Sequence, residues 1–149
     1  MKIAICYYSR HHGNTLRVLE AMTQGLDVDL IDVTSRMAVR LDYYDVIGFA
    51  SGIYHSQFHE TVTGFLRQYL PEDKKVFFVY TCGAKRRGCT DEIRRAAHEK
   101  HAAILGEYGC RGFDTYGPFR FIGGIAKGHP SARELQEARS FFTARICQG

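Results

Sequence analysis

Tryptophan is absent from the 149 residues, proline occurs only three times, and no run of like charge exceeds three residues. No apolar run approaches the ~18 residues that a bilayer span requires, which excludes membrane insertion. Five cysteines (Cys6, Cys82, Cys89, Cys110, Cys147) are an odd number without a Cys-x-x-Cys pair, which excludes a disulfide framework and a zinc site. The first residues carry too short an apolar run for a cleavable leader, so a cytoplasmic domain is expected. Low-complexity stretches, repeats and linkers are also missing, and residues 1–149 are expected to form a single domain. Lys plus Arg number 20 against 16 for Asp plus Glu, a net charge of +4 too mild and dispersed for a nucleic-acid partner. Apolar residues make up 45% and charged residues 24%, an ordinary globular balance that argues against disorder.

The apolar residues fall into short runs that alternate with helix-phased ones. Residues 3–8, 46–50 and 76–80 are apolar almost throughout, as strands covered on both faces should be. Residues 28–33 read as a strand nearer an edge, and 105–113 as a glycine-punctuated fifth strand. Leu16, Leu19, Met22 and Leu26 recur at helical spacing, as do Phe58, Val62, Phe65, Leu66 and Tyr69 ahead of Pro71. Thr90, Asp91 and Glu92 suit a helix start, and Ser131 with Glu134 forms a capping box for the last helix. Residues 34–44 fit a short helix or an irregular crossover equally. This order gives an α/β fold with a parallel sheet and helices on both faces. Ligands in such sheets bind beyond the carboxyl ends of the strands where the winding reverses, so the loops after the first, third and fourth strands hold the candidate site.

Ser9, Arg10, His11, His12, Gly13, Asn14 and Thr15 join the first strand to the first helix. Hydroxyls, an amide, a permissive glycine and unpaired helix N–H groups converge there, which suits a phosphate. Neither a Gly-Lys-Ser/Thr triphosphate loop nor the three spaced glycines of a dinucleotide site is present. A second candidate loop, Ser51, Gly52, Ile53 and Tyr54, follows the third strand. A third, Thr81, Cys82 and Gly83, follows the fourth. Tyr54 is the candidate to cover a flat ligand ring, with simple loop packing as the alternative. His55 and His59 are four residues apart and with His11 and His12 suit a cluster on one rim, but no third ligand is placed for a metal. Cys82 fits either a redox-active or an incidental thiol.

Gly13-Asn14-Thr15 between a strand and a helix, together with Ser51-Gly52-Ile53-Tyr54 after the third strand, resembles the flavodoxin family over essentially the whole chain. The tail from Gly112 to Phe119 and from Gly123 to Gly128 looks like that of small bacterial flavodoxin-domain proteins. The resemblance implies a flavodoxin-like three-layer sandwich whose five-stranded parallel sheet runs in the order 2-1-3-4-5. It implies FMN as cofactor, with the phosphate in the first loop and the Gly52 carbonyl near the ring, and redox partner proteins as electron donors and acceptors. Here His12 replaces the usual Thr before the glycine and Ser9 stands one residue further away, which leaves Arg10 or His12 to replace a hydroxyl contact. The fourth-strand loop lacks the aromatic usual in the family, leaving Tyr116 or Phe119 to cover that side of the ring. Lys85, Arg86 and Arg87 beside the ring would raise its potential relative to acidic flavodoxins, unless they splay into solvent.

Two other functions fit the same residues. Ser9 with Arg10 before the glycine, and Ser51-x-x-Tyr54-His55, also resemble the flavodoxin-like protoporphyrinogen oxidases, which makes an oxidase of protoporphyrinogen or quinone type the alternative. The long insertion expected near the last strand of that group is not evident. A flavin-less module that binds another phosphate ligand or a protein is the third. Oligomeric state is not legible in the sequence.

Overall fold

Residues 3–8 fold as the expected first strand, β1 (Ile3–Tyr8), and further strands and helices follow along the chain. They are α1 (Asn14–Thr23), β2 (Val28–Asp32), β3 (Val46–Tyr54), β4 (Gln57–Phe58), α2 (Glu60–Tyr69), β5 (Lys75–Cys82), α3 (Asp91–Glu99), β6 (Ala103–Arg111) and α4 (Ala132–Phe141). This computed structural model describes residues 1–10, 13–35, 39–84, 87–113 and 122–148. The ambiguous crossover contains one 3-10 turn (Leu41–Tyr43), and α4 continues into a wide π-type turn (Phe142–Ile146).

Five strands lie parallel in the order β2-β1-β3-β5-β6, which is the expected 2-1-3-4-5 topology. The short β4 is an addition to that expectation. It folds back antiparallel on the end of β3, pairing Ile53 with Phe58 and Tyr54 with Gln57. Helices α1 and α4 pack together on one face of the sheet, α2 and α3 on the other.

Period-two alternation decides which side chain enters which layer. On β3, Val46 and Ala50 face the α1/α4 layer while Ile47 and Phe49 face α2/α3. On β5, Phe77 and Val79 take the first layer, Val76 and Phe78 the second. Phe49, Phe77 and Phe78 are fully buried, and each such ring contributes roughly 1.5–3 kcal/mol by leaving water. Two glycines make room for rings on neighbouring strands. Gly48 lies opposite Phe77, and a Cβ on it would come within 2.4 Å of that ring. Gly109 lies opposite Tyr80, where a Cβ would come within 2.1 Å.

Several boundaries differ from expectation. Phe58 shares the phase of Val62 but belongs to β4, because both side chains reach the same core from different elements. Leu26 lies beyond the end of α1 and is exposed. The strand expected over 105–113 spans 103–111 as β6. Thr90 precedes α3 without a side-chain cap, its Oγ1 accepting from Arg94 Nε at 3.2 Å. The Ser131–Glu134 capping box is present in both directions. Arg139 of α4 donates to the carbonyls of Met22 (3.1 Å) and Gln24 (2.6 Å) at the C-terminal end of α1, where helix carbonyls lack partners within the helix.

Candidate functional site

The order β2-β1-β3 reverses the winding at β1, and the chain's loops converge beyond the carboxyl ends of β1, β3, β5 and β6. Gly13 precedes α1 at φ +65°, a left-handed conformation that a side chain disfavours, although nothing would crowd a Cβ there. The first N–H groups of a helix have no partner within it. At α1 one of them, that of Leu16, donates to Ser9 Oγ at 3.1 Å. Asn14 Nδ2 donates to the Phe113 carbonyl at 2.7 Å. The chain after β6 passes so close that a Cβ on Gly112 would fall 2.7 Å from that same Nδ2. Thr15 and Thr81, both buried, join their hydroxyls at 2.8 Å.

The end of β3 is organised by Ser51, which is fully buried behind the site. Its Oγ accepts from the His59 N–H at 3.0 Å and donates to the Gly52 carbonyl at 2.5 Å. That carbonyl accepts one bond from its neighbour's hydroxyl and keeps a second lone pair. His55 and Ser56 form the two-residue turn between β3 and β4, both at positive φ (49° and 67°). Gln57 secures the hairpin from below, donating to Gly88 O at 2.8 Å and accepting from Glu92 N–H at 3.1 Å.

Behind this hairpin three rings meet. Tyr8 and His59 stack at 4.0 Å and 13°, and Tyr54 stands edge-on to both, at 5.0 Å from His59 and 6.0 Å from Tyr8. The His59 Nδ1 accepts from Thr61 N–H at 3.2 Å and caps α2. Burial lowers the His59 pKa from its ordinary 6.5, against the opposing pull of Glu60, so the neutral ring is the favoured form.

At the third loop Thr81 and Cys82 are the last residues of β5, and not loop residues as expected. Gly112 N–H donates to Cys82 O at 2.9 Å, and Arg111 Nε to Gly83 O at 3.3 Å. The Cys82 thiol is buried and donates to Cys110 O at 3.6 Å.

Ten of the residues expected from sequence line a single cleft: Ser9, Arg10, Asn14, Thr15, Gly52, Ile53, Tyr54, Thr81, Cys82 and Gly83. Its volume is about 30 Å³, space for a small polar group, and it opens to the surface. Gly13 adjoins it at the head of α1, and Ser51 supports it from behind. His11, His12, Lys85, Arg86, Tyr116 and Phe119 lie outside the described residues, and Arg87 is exposed. Arg10 reaches away from α1. Its guanidinium pairs with Asp32 at 3.5 Å, donates to Thr34 Oγ1 and lies over the Tyr8 ring.

Gly112 and Phe113, after β6, also line the cleft, and Tyr8 and His59 back its Tyr54 wall. The sequence offered His59 only as part of a histidine cluster on one rim and Gly112 and Phe113 only as part of the tail, and it gave Tyr8 no place at the site. The signal for Tyr8 was its phase with Cys6 on β1, which turns it toward the α2/α3 layer.

Residues 4–106 match the family described as Flavodoxin domain. The chain belongs to the flavodoxin-domain family. An uncharacterised protein of Methanocaldococcus jannaschii is 34% identical over 143 residues, covering 95% of each chain. Among solved structures, this flavodoxin-domain fold is similar to a flavodoxin from the domain Archaea (TM-score 0.66, 18% identity, 94% of this chain and 92% of that one). It is also similar to a flavoprotein in complex with FMN from Lactobacillus acidophilus (TM-score 0.57, 15% identity, 72% and 92%). Among the described residues no helix is long and apolar enough to cross a membrane.

Proposed function

We propose that the chain binds FMN in this cleft and acts as a redox protein, exchanging electrons with cytoplasmic partner proteins or a small acceptor. The observation that carries this proposal is the convergence of a helix N-terminus, neutral hydroxyls, Tyr54 and Phe113 on one cleft. That donor set fits a phosphate ester joined to a flat ring. The polar donors lie next to apolar walls, and Arg10 is the only cationic residue among the described lining residues. The FMN in the Lactobacillus acidophilus neighbour supports the same cofactor.

Ser9, Thr15 and the head of α1 would hold the phosphate. Ser9 Oγ accepts from Leu16 and keeps its own proton to donate. The Thr15–Thr81 pair has two hydroxyl protons and needs only one between the oxygens, which leaves one for an anion. The helix N-terminus adds favourable partial charge. Gly52, Ile53 and Tyr54 would form one edge of the ring site and Cys82 with Gly83 another, Tyr54 excluding water from it. Bound FMN would supply reversible electron transfer, with the protein setting ring orientation and exposure.

Comparison of FMN with riboflavin tests the assignment. Flavin fluorescence quenching should show tight binding of FMN and at least tenfold weaker binding of riboflavin, which lacks the phosphate. Equal affinities contradict a phosphate site, and a purified protein that takes up neither flavin leaves only a phosphate- or protein-binding module. Turnover of a porphyrinogen or quinone by the yellow protein would favour the oxidase.

A further inference from the structure

We propose that His59 is a positioning residue whose imidazole ring, through its contacts with Tyr8 and Tyr54, holds Tyr54 ready at the cleft wall. The inference rests on the FMN assignment for what is bound, but on geometry for what His59 does.

Two roles meet in this side chain. The Nδ1 caps α2 by accepting from Thr61 N–H at 3.2 Å. A cap needs only a short acceptor, and Ser, Thr, Asn and Asp are the ordinary choices. What histidine adds is an aromatic plane. That plane stacks on Tyr8 at 4.0 Å and 13° and meets Tyr54 at 5.0 Å and 88°. The main chain fixes where the plane lies, because His59 N–H is bonded to the buried Ser51 Oγ, the same hydroxyl that bonds the Gly52 carbonyl.

Tyr54 is the one of the three rings that lines the cleft. It is half-buried and folds back toward Gly52, where a Cβ would stand 3.3 Å from the ring. A tyrosine on the rim of an open cleft has rotamers to lose when a ligand arrives. Immobilising such a side chain beforehand moves that cost from binding to folding, an effect of about threefold to tenfold in Kd. The edge-on and stacked geometries of the three rings are the favourable ones for aromatic pairs.

Two substitutions separate the ring from the cap. His59→Asn keeps an acceptor for Thr61 N–H and removes the ring, whereas His59→Phe keeps the ring and removes the acceptor. His59→Asn should retain the urea midpoint closely but bind FMN about threefold to tenfold more weakly. His59→Phe should lower the midpoint yet bind FMN within twofold of the parent. Equal FMN affinity for parent and His59→Asn, or affinity that follows the midpoint in both variants, overturns the proposal. In a Tyr54→Ala background, His59→Asn should cost no further affinity, and an undiminished loss there overturns it too.

A readout without ligand separates this inference from the FMN assignment. Tyr54 ring-proton resonances of the free protein should be shifted by the neighbouring rings in the parent and in His59→Phe, and collapse toward averaged values in His59→Asn. Unchanged Tyr54 resonances in His59→Asn refute the positioning role whatever FMN does. A parent protein that fails to take up FMN refutes the cofactor instead.

Discussion

Thr15 at the head of α1 and Thr81 at the end of β5, 66 residues apart, meet hydroxyl to hydroxyl at 2.8 Å. Both are buried, at 2% and 4% exposure, and meet water only through the cleft they line. Thr81→Val preserves shape and leaves the Thr15 hydroxyl without its partner. Loss of a buried partner costs about 1–3 kcal/mol. Urea unfolding should show that loss, and FMN affinity should fall with it, since the pair also offers the cleft its spare proton. An unchanged midpoint and affinity would contradict both roles.

Glu134 links the last helix to the strand that carries Gly112 and Phe113 toward the cleft. Its carboxylate accepts from Ser131 N–H and Arg111 N–H, each at 3.0 Å, and bonds the His129 ring. Partial burial pushes its pKa up, but these donors outweigh it and hold the carboxyl at about 2 against an ordinary 4.5. The folded value lies below the unfolded one, so the stabilisation is complete above pH 4.5 and disappears as the pH falls toward 2. It amounts to roughly 2–3 kcal/mol. Urea midpoints measured between pH 7 and 2 should fall more steeply for the parent than for Glu134→Gln. Parallel profiles would show that the carboxylate adds nothing to the fold.

The β3–β4 turn places two side chains, His55 and Ser56, at φ values of 49° and 67°. Two-residue hairpin turns of this hand favour glycine at the second position, because a Cβ there crowds the backbone. Ser56→Gly should therefore raise stability by about 0.5–1 kcal/mol, allowing for the extra entropy of the unfolded glycine. Thermal unfolding measures this, and a lowered midpoint would mean that Ser56 makes contacts worth more than its strain.

The parallel sheet was legible because β1, β3 and β5 are covered on both faces and their apolar runs admit no polar break. The capping box at Ser131 was legible because both of its partners are local. The hairpin was not. His55-Ser56 lacks the Asn-Gly signature, β4 is only two residues long, and Phe58 stands in helical phase with Val62. The cleft was largely legible, since its first three loops follow strand ends that the sequence already marked. Gly112 and Phe113 enter it through bonds across the fold, Asn14 Nδ2 to Phe113 O and Gly112 N–H to Cys82 O. The stack of His59 on Tyr8 depends on α2 starting beside β1, a relation between distant segments that spacing alone does not encode. Arg10, a candidate phosphate contact, lines the cleft, and one of its guanidinium nitrogens is turned to Asp32 and Thr34.

Backbone amide NMR during titration of the ligand-free protein with FMN tests the central claim most directly. The account predicts saturable shifts at a 1:1 ratio, largest at Asn14, Thr15 and Leu16, at Gly52 through Tyr54, and at Thr81 through Gly83. Shifts confined to another surface, such as the groove beside Lys2, Tyr7 and Tyr44 along β2, or no saturable shift at all, would contradict it.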